Sequence, residues 1–457
     1  MTTARTSGGA VPRRGRRVAV VGVGYVGLPT AATLARLGHT VVCGDRDAER
    51  IAGLQRGEVP ILEAGLEELV QDGLQSGRLN FVVGAATAAR SAEFVFLCVP
   101  TPERADGSAD LSYVEAVAEE ISPHLAPGVI VVNKSTVPVG STTVVERVLG
   151  RSDVTVVSNP EFLREGTAVQ DSLHPDRLVV GADDADAAAE VGELFGGTGA
   201  PLIVTDATTA ETIKYASNAF LATKLSFVNA IARLCEALGA DVRDLLLGLG
   251  YDRRIGFDYL RPGPGWGGSC LPKDTAALLH IAESAGYDFQ LLRGVINGND
   301  EQVDSVVDKV VGLVGGSADG RTIGVWGLTF KANTDDRRSS PAVDVAQRLA
   351  GLGSVVQAYD PTVAPSAVRG SALAYQPAAA EGTPADLVGL TLCADAYEAC
   401  RGAAALVVLT EWDEFRWVDF DKARDLMAQP IVIDARNLFD PAAMRRAGFT
   451  YRGVGRR

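Results

Sequence analysis

The chain has 457 residues, of which 47% are hydrophobic and 22% are charged, and its formal net charge is −14 at pH 7. This length predicts about two or three domains with substantial cores. The acidic balance argues against a nucleic-acid or anionic-membrane surface, and no apolar run approaches the ~20 residues that a membrane span needs. The six cysteines and four histidines are scattered along the chain, which indicates a reducing, cytoplasmic location and no metal site.

A dinucleotide-binding motif opens the folded part of the chain. The apolar run Arg17–Val21 predicts a buried parallel strand, and the glycine-rich segment Gly22–Gly27 and an alanine-rich helix follow it. A second predicted strand ends at Asp45, about 20 residues after the glycines, where an acid can bond the ribose hydroxyls. The glycines admit a pyrophosphate to the helix N-terminus. The acid favours NAD over NADP, although the neighbouring Arg46 leaves NADP open.

Three more predicted parallel strands each end in a polar loop. The strands are Phe94–Val99, Val129–Val132 and Val154–Val157. The first loop contains Thr101, the second is Lys134–Gly140 and the third is Asn159–Gly166. Ligands of doubly wound sheets bind beyond the carboxyl ends of the strands, so we expect the first two loops to face the nicotinamide half of the cofactor. A solvated turn is the alternative for the third loop, but its position at a strand end favours a site.

Long helices are predicted from about Asp206 onward. The stretch Glu211–Leu238 has the pattern of one long helix, in which Lys214 and Asn218 are four residues apart and therefore share a face. A helix of this length suits a spine between two domains and a subunit interface. The alternative for Lys214 and Asn218 is that both are ordinary surface residues.

The segment Gly263–Asp274 combines glycines, prolines and one cysteine. A helix is predicted over Thr275–Ala282, with Pro272 in its first turn, so Cys270 would lie at the helix N-terminus. That environment stabilises a thiolate, which is the nucleophilic form of cysteine. Gly267 and Gly268 would let a ligand or a second backbone come close. The local sequence leaves a buried structural cysteine open as the alternative.

The C-terminal third repeats the outline of the first. Its predicted strands are Thr322–Gly327, Val355–Asp360, Leu406–Thr410 and Ile431–Asp434. The second glycine motif is incomplete, and we infer a second Rossmann-like domain that holds a different nucleotide or none. The charged loop Phe330–Pro341 contains two arginines and a lysine, which suits phosphate groups. A purely structural loop is the alternative.

Six segments, in order along the chain, resemble the signature blocks of the UDP-glucose/GDP-mannose dehydrogenase family. They are Gly22–Gly27, Lys134–Gly140, Asn159–Gly166, Lys214–Asn218, Gly267–Asp274 and Phe330–Asp336. The resemblance covers nearly the whole chain, from Val18 to about Asn437. It implies an α/β protein in which a central long-helix dimerisation domain joins two Rossmann-like, doubly wound domains. The implied division is a disordered lead-in (1–16), an NAD-binding domain (17–205), a central helical domain with the cysteine loop (206–315) and a nucleotide-sugar-binding domain (316–457).

The same resemblance implies an NAD-dependent, four-electron oxidation of the C6 alcohol of a nucleotide sugar to a carboxylate. In the family's chemistry a cysteine carries the intermediate as a thiohemiacetal and then as a thioester. Cys270 matches that nucleophile, and Lys214 and Asn218 match the groups that stabilise the oxyanion. Glu161, Thr136 and Asp274 match the groups that position and activate the hydrolytic water.

Further site residues follow from the resemblance. The implied cofactor contacts are Gly22, Gly24, Tyr25, Val26, Gly27, Asp45, Arg50, Thr101, Thr136, Glu165 and Arg338. The implied substrate contacts are Phe162, Leu163, Arg164, Lys214, Asn218, Arg254, Tyr259, Gly267, Lys331 and Arg436. Arg254 resembles an arginine that reaches the site of a neighbouring subunit, which implies a homodimer or a higher homo-oligomer.

The segments Asp106–Tyr113 and Cys270–Asp274 look most like the branch of the family that acts on UDP-glucose, and UDP-glucuronate would then be the product. Leu271 and Pro262–Pro264 depart from several relatives near the sugar pocket, so dTDP-glucose, a UDP-N-acetyl-hexosamine and GDP-mannose stay open as substrates. A non-catalytic nucleotide-binding regulator is a further alternative. The joint presence of Cys270, Lys214 and Asn218 argues against it and against a two-electron hydroxyacid dehydrogenase.

Overall fold

The structure of the protein, a computed structural model, describes residues 15–104, 106–363 and 385–456. The predicted disordered lead-in lies outside these residues, apart from its last two. The chain forms two compact units, the first from Met1–Thr101 and Asp110–Thr212 and the second from Pro102–Ala109 and Ile213–Arg457. The three boundaries of the four-part division inferred above stay a prediction.

An eight-stranded sheet forms the centre of the first unit, with the order β3-β2-β1-β4-β5-β6-β7-β8. Its strands are β1 (Arg17–Val21), β2 (Thr40–Asp45), β3 (Leu79–Val83), β4 (Phe94–Leu97), β5 (Ile130–Asn133), β6 (Thr155–Ser158), β7 (Leu178–Gly181) and β8 (Leu202–Thr205). Every neighbouring pair is parallel except β6 and β7. The predicted doubly wound sheet is therefore confirmed, and β3, β7 and β8 extend it beyond the predicted strands.

Helices cover both faces of this sheet. They are α1 (Gly27–Arg36), α2 (Ala48–Gln55), α3 (Leu66–Gln75), α4 (Ala85–Ala89), α5 (Ser112–Ile121), α6 (Ser141–Leu149), α7 (Ala168–Leu173) and α8 (Ala185–Leu194). Successive side chains of a strand point to opposite faces, so Val18 and Val20 enter one core while Ala19 and Val21 enter the other. Burial on both faces explains why the strand sequences are continuously apolar.

The long helix α9 (Ala207–Leu238) starts four residues before the predicted start at Glu211. The side chain of Asp206 accepts hydrogen bonds from the backbone N–H and the hydroxyl of Thr209, at 2.8 and 2.7 Å. A side chain that binds the first free N–H groups of a helix fixes its start. The division between the two units falls within α9.

The second unit contains a six-stranded parallel sheet with the order β11-β10-β9-β12-β13-β14. Its strands are β9 (Thr322–Trp326), β10 (Val355–Tyr359), β11 (Thr391–Leu392), β12 (Ala405–Val408), β13 (Ile431–Asp434) and β14 (Thr450–Gly453). Its helices after α9 are α10 (Val242–Gly250), α11 (Leu271–Ser284), α12 (Gln290–Leu313), α13 (Pro341–Gly351), α14 (Ala396–Cys400), α15 (Phe420–Leu426) and α16 (Pro441–Arg446). Side chains of α9, α10 and α12 share one apolar core with this sheet. The second Rossmann-like sheet is thus confirmed.

Candidate active site

The glycine turn after β1 has the shape that a bound dinucleotide requires. Gly22 has φ +96°, and a Cβ on Gly27 would lie 1.9 Å from the Gly22 carbonyl oxygen. The first glycine therefore permits the turn, and the last lets α1 pack close, with Tyr25 and Val26 leading into the helix. Nothing lies within 4 Å of a Cβ on Gly24, so the side from which a pyrophosphate approaches is open.

Asp45, at the end of β2, lies beside this turn. Its carboxylate accepts the backbone N–H groups of Val23 (3.1 Å) and Asp47 (3.0 Å), and the side chain is partly exposed. Each carboxylate oxygen can accept more than one hydrogen bond, so acceptor capacity remains for ribose hydroxyls. Nearby, the Arg50 Nε atom lies 3.9 Å from a carboxylate oxygen of Asp47. The Arg46 guanidinium lies 5.5 Å from the Tyr113 ring centroid. These residues fit the predicted NAD.

The loop between β5 and α6 carries Thr136. Its first residues are fixed because the Ser135 hydroxyl donates to the Val99 carbonyl oxygen at 2.7 Å. The Thr101 hydroxyl donates to the carbonyl oxygen of Thr136 at 2.7 Å. The structure therefore brings together two of the predicted cofactor-binding residues.

The loop between β6 and α7 carries Glu161, whose side chain is only 4% exposed. One of its carboxylate oxygens accepts the Leu163 N–H at 2.7 Å. A single pocket of the first unit is lined by Glu161, Phe162, Leu163, Arg164 and Lys134. Four predicted site residues thus share one pocket, with a buried lysine beside them.

The charges in this pocket also act on Cys98. Burial raises the pKa of the Cys98 thiol to about 12, Lys134 lowers it and Glu161 raises it. A thiol with so high a pKa stays protonated near neutral pH and is a poor nucleophile. Cys98 is therefore a packing residue.

Cys270 has a different environment in the second unit. It is the N-cap residue of α11, as the sequence predicts, and Pro272 lies in the first turn. The other five cysteines are buried, whereas Cys270 is partly exposed, with the Ser269 hydroxyl 3.5 Å from its sulfur. Accessibility at a helix N-terminus favours the predicted nucleophile over a structural cysteine.

Side-chain amides hold the loop that leads to Cys270. Asn299 accepts the Trp266 N–H at 2.8 Å and donates to the Trp266 carbonyl oxygen at 3.0 Å. Asn229 accepts the Gly263 N–H at 2.9 Å, while Gln302 donates to the Gly263 carbonyl oxygen at 2.8 Å. Side chains of α9 and α12 therefore hold the backbone of this loop in place.

A buried polar cluster lies next in the same unit. Lys214 is 3% exposed and Asp274 is 0% exposed. The Asn218 amide donates to one carboxylate oxygen of Asp274 at 2.6 Å, and Lys273 donates to the other at 2.5 Å. Asp274 thus fixes the direction of the Asn218 amide. The alternative that Lys214 and Asn218 are ordinary surface residues is wrong, because Lys214 is 3% exposed and Asn218 is 8% exposed.

The loop between β9 and α13 contacts the glycines before Cys270. The Gly268 N–H donates to the Arg338 carbonyl oxygen at 3.0 Å, and a Cβ on Gly267 would lie 1.9 Å from the Ser339 carbonyl oxygen. Only glycine permits this approach. The Arg436 guanidinium donates to the Phe330 carbonyl oxygen at 2.5 Å and pairs with Glu411 at 3.0 Å.

Four other predicted residues of the second unit have the following local surroundings. The Arg338 side chain pairs with Asp336 at 2.8 Å and is 59% exposed. Lys331 has its ammonium 5.4 Å from the Phe330 ring. Tyr259 has φ +60°, and Arg254 pairs with Asp252 at 2.6 Å while its side chain stays 88% exposed.

Three models of one protein family match successive parts of the chain. The NAD binding domain of the UDP-glucose/GDP-mannose dehydrogenase family matches residues 16–198, its central domain matches 208–301, and its UDP binding domain matches 324–441. The chain belongs to this family.

Characterised relatives agree with the family match. The chain is 44% identical to the UDP-glucose 6-dehydrogenase TuaD of Bacillus subtilis, over 96% of this chain and 93% of TuaD. It is 44% identical to the UDP-glucose 6-dehydrogenase of Rhizobium meliloti, over 96% of this chain and 99% of that protein. The solved structure of a UDP-glucose dehydrogenase from Pyrobaculum islandicum has a TM-score of 0.85 and 35% identity, covering 98% of this chain and 100% of that one.

These matches confirm four predictions from the sequence. The family, the fold class, the NAD cofactor and the class of enzyme, an NAD-dependent nucleotide-sugar dehydrogenase, are as predicted. Among the residues that the structure describes, no helix is both long and apolar enough to cross a membrane. The same residues contain no cluster of three or more His, Cys, Asp or Glu side chains suited to a metal ion.

Sequence reasoning missed the residues that support the site. In the second unit these are Asn229, Asn299 and Gln302, and in the first unit they are Glu63 and Glu211. Each is a single polar residue without a local motif, and each acts on a segment more than 30 residues away.

Proposed function

We propose that the chain oxidises C6 of UDP-glucose to the carboxylate of UDP-glucuronate, using two NAD per sugar and one water. The observation that carries this proposal is the partly exposed cysteine at the N-terminus of α11, in the same unit as the buried Lys214 and the buried, hydrogen-bonded pair of Asn218 and Asp274. The 44% identity to named UDP-glucose 6-dehydrogenases over nearly the whole chain supports UDP-glucose as the sugar nucleotide.

Cys270 is the covalent nucleophile. NAD bound at the Gly22–Gly27 turn supplies the hydride acceptor for both oxidations. The first oxidation gives an aldehyde at C6, and the Cys270 thiolate adds to that carbon to form a thiohemiacetal. Loss of a second hydride gives a thioester, whose hydrolysis releases the carboxylate and regenerates the thiol. The sum is one alcohol, two NAD⁺ and one water converted to one carboxylate, two NADH and three protons.

Lys214 and Asn218 stabilise the negative charge that develops on the C6 oxygen. A buried ammonium and a fixed amide donor act strongly there, because the surroundings contain little water to screen them. Asp274 holds the Asn218 amide by the 2.6 Å hydrogen bond, which leaves the second amide hydrogen for the oxyanion. The preorganised pair therefore lowers the barrier without rearrangement.

Glu161 and Thr136 act on the hydrolytic water, with Asp274 as a third group. Glu161 is a suitable base because its carboxylate is buried and held by the Leu163 N–H. Thr136, fixed through its carbonyl oxygen by Thr101, supplies a hydroxyl that can orient the water. Arg50, Thr101, Glu165 and Arg338 contact the cofactor, in addition to the glycine turn and Asp45.

The nucleotide and the sugar contact the remaining predicted residues. These are Phe162, Leu163, Arg164, Tyr259, Gly267, Lys331 and Arg436. The cationic members among them suit the diphosphate, because arginine and lysine side chains bond phosphate oxygens.

The free cysteines fit a cytoplasmic location for the reaction, since disulfides are rare there.

The protein forms a homodimer through its central helices, and Arg254 reaches the partner's site. Large side chains are exposed along α9 and on the segment after α10, namely Phe220 (66%), Phe227 (54%), Tyr251 (73%) and Phe257 (52%). Exposed apolar side chains in such a group indicate an interaction surface. The exposed Arg254 side chain lies on the segment after α10 and is free to extend from it if the Asp252 ion pair opens.

The test is the number of NADH molecules formed per UDP-glucose consumed. We expect about two for the native chain and for Cys235→Ala, a control at a buried cysteine. Cys270→Ser should stall before it releases UDP-glucuronate, because a serine hydroxyl is a weaker nucleophile and a poorer leaving group than a thiolate. One NADH per sugar would contradict the four-electron reaction. Two NADH on a different nucleotide sugar, with none on UDP-glucose, would correct the substrate alone.

A further inference from the structure

Two buried glutamates of the first unit each bind the start of a helix that follows a catalytic loop. Glu211, in the first turns of α9, accepts the Gly140 N–H at 2.6 Å through one oxygen. Its other oxygen accepts the Thr142 N–H at 3.0 Å and the Thr142 hydroxyl at 2.8 Å. These donors belong to the start of α6, which has no side-chain cap of its own. A residue some 70 positions away in sequence thus replaces the local cap.

Glu63 does the same for α7. One of its oxygens accepts the Gly166 N–H at 2.8 Å and the other accepts the Ala168 N–H at 2.7 Å. Helix α7 also lacks a side-chain cap of its own. Glu63 precedes α3 and is more than 100 residues from the donors that it binds.

The two contacts have the same geometry. In each, a carboxylate binds two N–H groups that are two residues apart, and the first belongs to a glycine with positive φ, +92° at Gly140 and +82° at Gly166. A glutamine cannot reproduce this arrangement, because its amide nitrogen would place hydrogens against one of the two N–H donors. The arrangement therefore requires a carboxylate and a glycine together.

Each of the two loops is also fixed at its other end. The loop with Thr136 begins at Ser135, which donates to the Val99 carbonyl oxygen. The loop with Glu161 begins at Asn159, whose amide donates to the Val179 carbonyl oxygen at 2.8 Å and accepts from Lys134 at 3.0 Å. The residues to which we assign water activation therefore lie between two anchors, and the glutamates supply one anchor of each loop.

Burying a carboxylate to hold a helix start costs desolvation free energy. Burial raises the pKa of Glu211, and the hydrogen bonds from Thr142 and Gly140 lower it only in part. A local Ser, Thr or Asp cap would satisfy the same N–H groups at the surface without this desolvation. Long-range anchoring adds something that a local cap lacks, namely a fixed position of the helix start relative to the rest of the unit.

We propose that Glu63 and Glu211 are positioning residues that hold the loops of Glu161 and Thr136 in their reactive geometry. The proposal rests on the roles assigned to Glu161 and Thr136 under the proposed function. Because an error of about 1 Å in a reacting group costs on the order of 100-fold in rate, loosening either anchor should affect turnover more than folding.

The test compares Glu63→Gln and Glu211→Gln with Asp184→Ala. Asp184 also accepts two N–H groups at a helix start, those of Asp186 and Ala187 at the start of α8, but it contacts neither loop. Each variant loses acceptors at a helix start, which costs about 1 kcal/mol at the exposed Asp184 and about 1–3 kcal/mol at each buried glutamate, because water cannot replace the lost acceptor there. At a temperature at which all three variants stay folded, we expect kcat to fall about tenfold or more for the two glutamine variants and less than about twofold for Asp184→Ala.

Hydrogen exchange of the full-length protein locates the effect without any turnover. Glu211→Gln should speed deuterium uptake in a peptide covering 134–143 and not in one covering 159–168, and Glu63→Gln should do the reverse. Equal effects of all three variants on kcat, or exchange that rises across the whole unit, would show that the glutamates serve the fold alone. If the native chain does not oxidise UDP-glucose, the proposed function fails, while the exchange pattern still tests the anchors.

Discussion

In both Rossmann-like sheets a strand, a glycine turn, a helix and a second strand follow one another, and an aspartate stands at the end of that second strand. The two aspartates differ in whether their carboxylates are accessible to a ligand. In the first unit the sequence after the strand is Gly22-Val23-Gly24, and Asp45 is partly exposed. In the second it is Gly327-Leu328-Thr329, and Asp360 is 1% exposed. The order of strands and helices is therefore repeated in the second unit, but the glycine turn and the accessible aspartate that suit a dinucleotide are not.

Hydrogen bonds explain this difference. Asp360 accepts the N–H groups of Leu328 (2.7 Å) and Thr329 (3.1 Å), the indole N–H of Trp412 (3.1 Å) and the hydroxyl of Thr362 (2.7 Å). A buried carboxylate with so many donors from its own chain has no access to a ribose. Thr329 is fully buried where Gly24 leaves open space. All the hydrogen bonds of the Asp360 carboxylate described above stabilise the fold of the second unit. A nucleotide in this unit must therefore be bound by other residues.

Asp360→Ala should have the largest effect on stability. The substitution leaves the Leu328, Thr329 and Trp412 donors buried without an acceptor, so we expect the free energy of unfolding to fall by about 3–5 kcal/mol. Urea denaturation followed by circular dichroism measures this loss. A change below about 1 kcal/mol would mean that water replaces the carboxylate and that the two acids are more alike than the structure indicates.

Gly24→Val should leave stability unchanged and reduce the affinity for the cofactor. A Cβ at this position meets no atom of the protein, so the melting temperature should stay within about 2 °C of the native value. The added side chain occupies the approach of the pyrophosphate, and we expect NADH affinity to fall about 100-fold, or ~2.7 kcal/mol. Thr329→Val is the matched control in the second unit, and fluorescence titration with NADH should detect no change for it.

Asp45→Ala should reduce NADH affinity by about tenfold, because one charged acceptor of the ribose hydroxyls is lost. Its free energy of unfolding should change by less than about 1 kcal/mol, since its two backbone partners lie in a partly exposed turn. The same titration measures the affinity. Loss of stability without loss of affinity would assign Asp45 to the fold, as is the case for Asp360.

Arg46→Ala should have the smallest effect. The guanidinium lies over the exposed Tyr113 ring, so NADH affinity should change by less than about threefold. A loss of tenfold or more would place Arg46 against the cofactor and reopen the question of NADP. Titrations with NADH and NADPH side by side distinguish these results.

Local pattern was sufficient to predict much of this molecule. The first strand, glycine turn, helix and second strand follow one another within 29 residues, Arg17–Asp45, so each element is defined by its neighbours. Cys270 was placed correctly at a helix start because Pro272 and the preceding glycines are strong local signals. The family resemblance then gave roles to residues that no local pattern assigns.

Long-range features could not be predicted in the same way. Strand β11 has only two residues, which is too short for a recognisable strand pattern. Glu63, Glu211 and Asn299 are defined only by the backbone that each contacts after folding. The incomplete second glycine motif did predict that the second unit differs, but the closed bond network of Asp360 is visible only in three dimensions.

The distribution of tryptophan gives these two units separate optical signals. Trp266 near Cys270, Trp326 on β9, Trp412 on Asp360 and Trp417 are the four tryptophans of the chain, and all belong to the second unit. Indole emission therefore reports the unfolding of that unit and chemical change near its cysteine, while the first unit is silent at that wavelength. The glycine turn that binds the cofactor lies in the silent unit, so the cofactor's own fluorescence can follow binding there. In one sample, tryptophan emission therefore follows the second unit, and NADH fluorescence follows cofactor binding to the first.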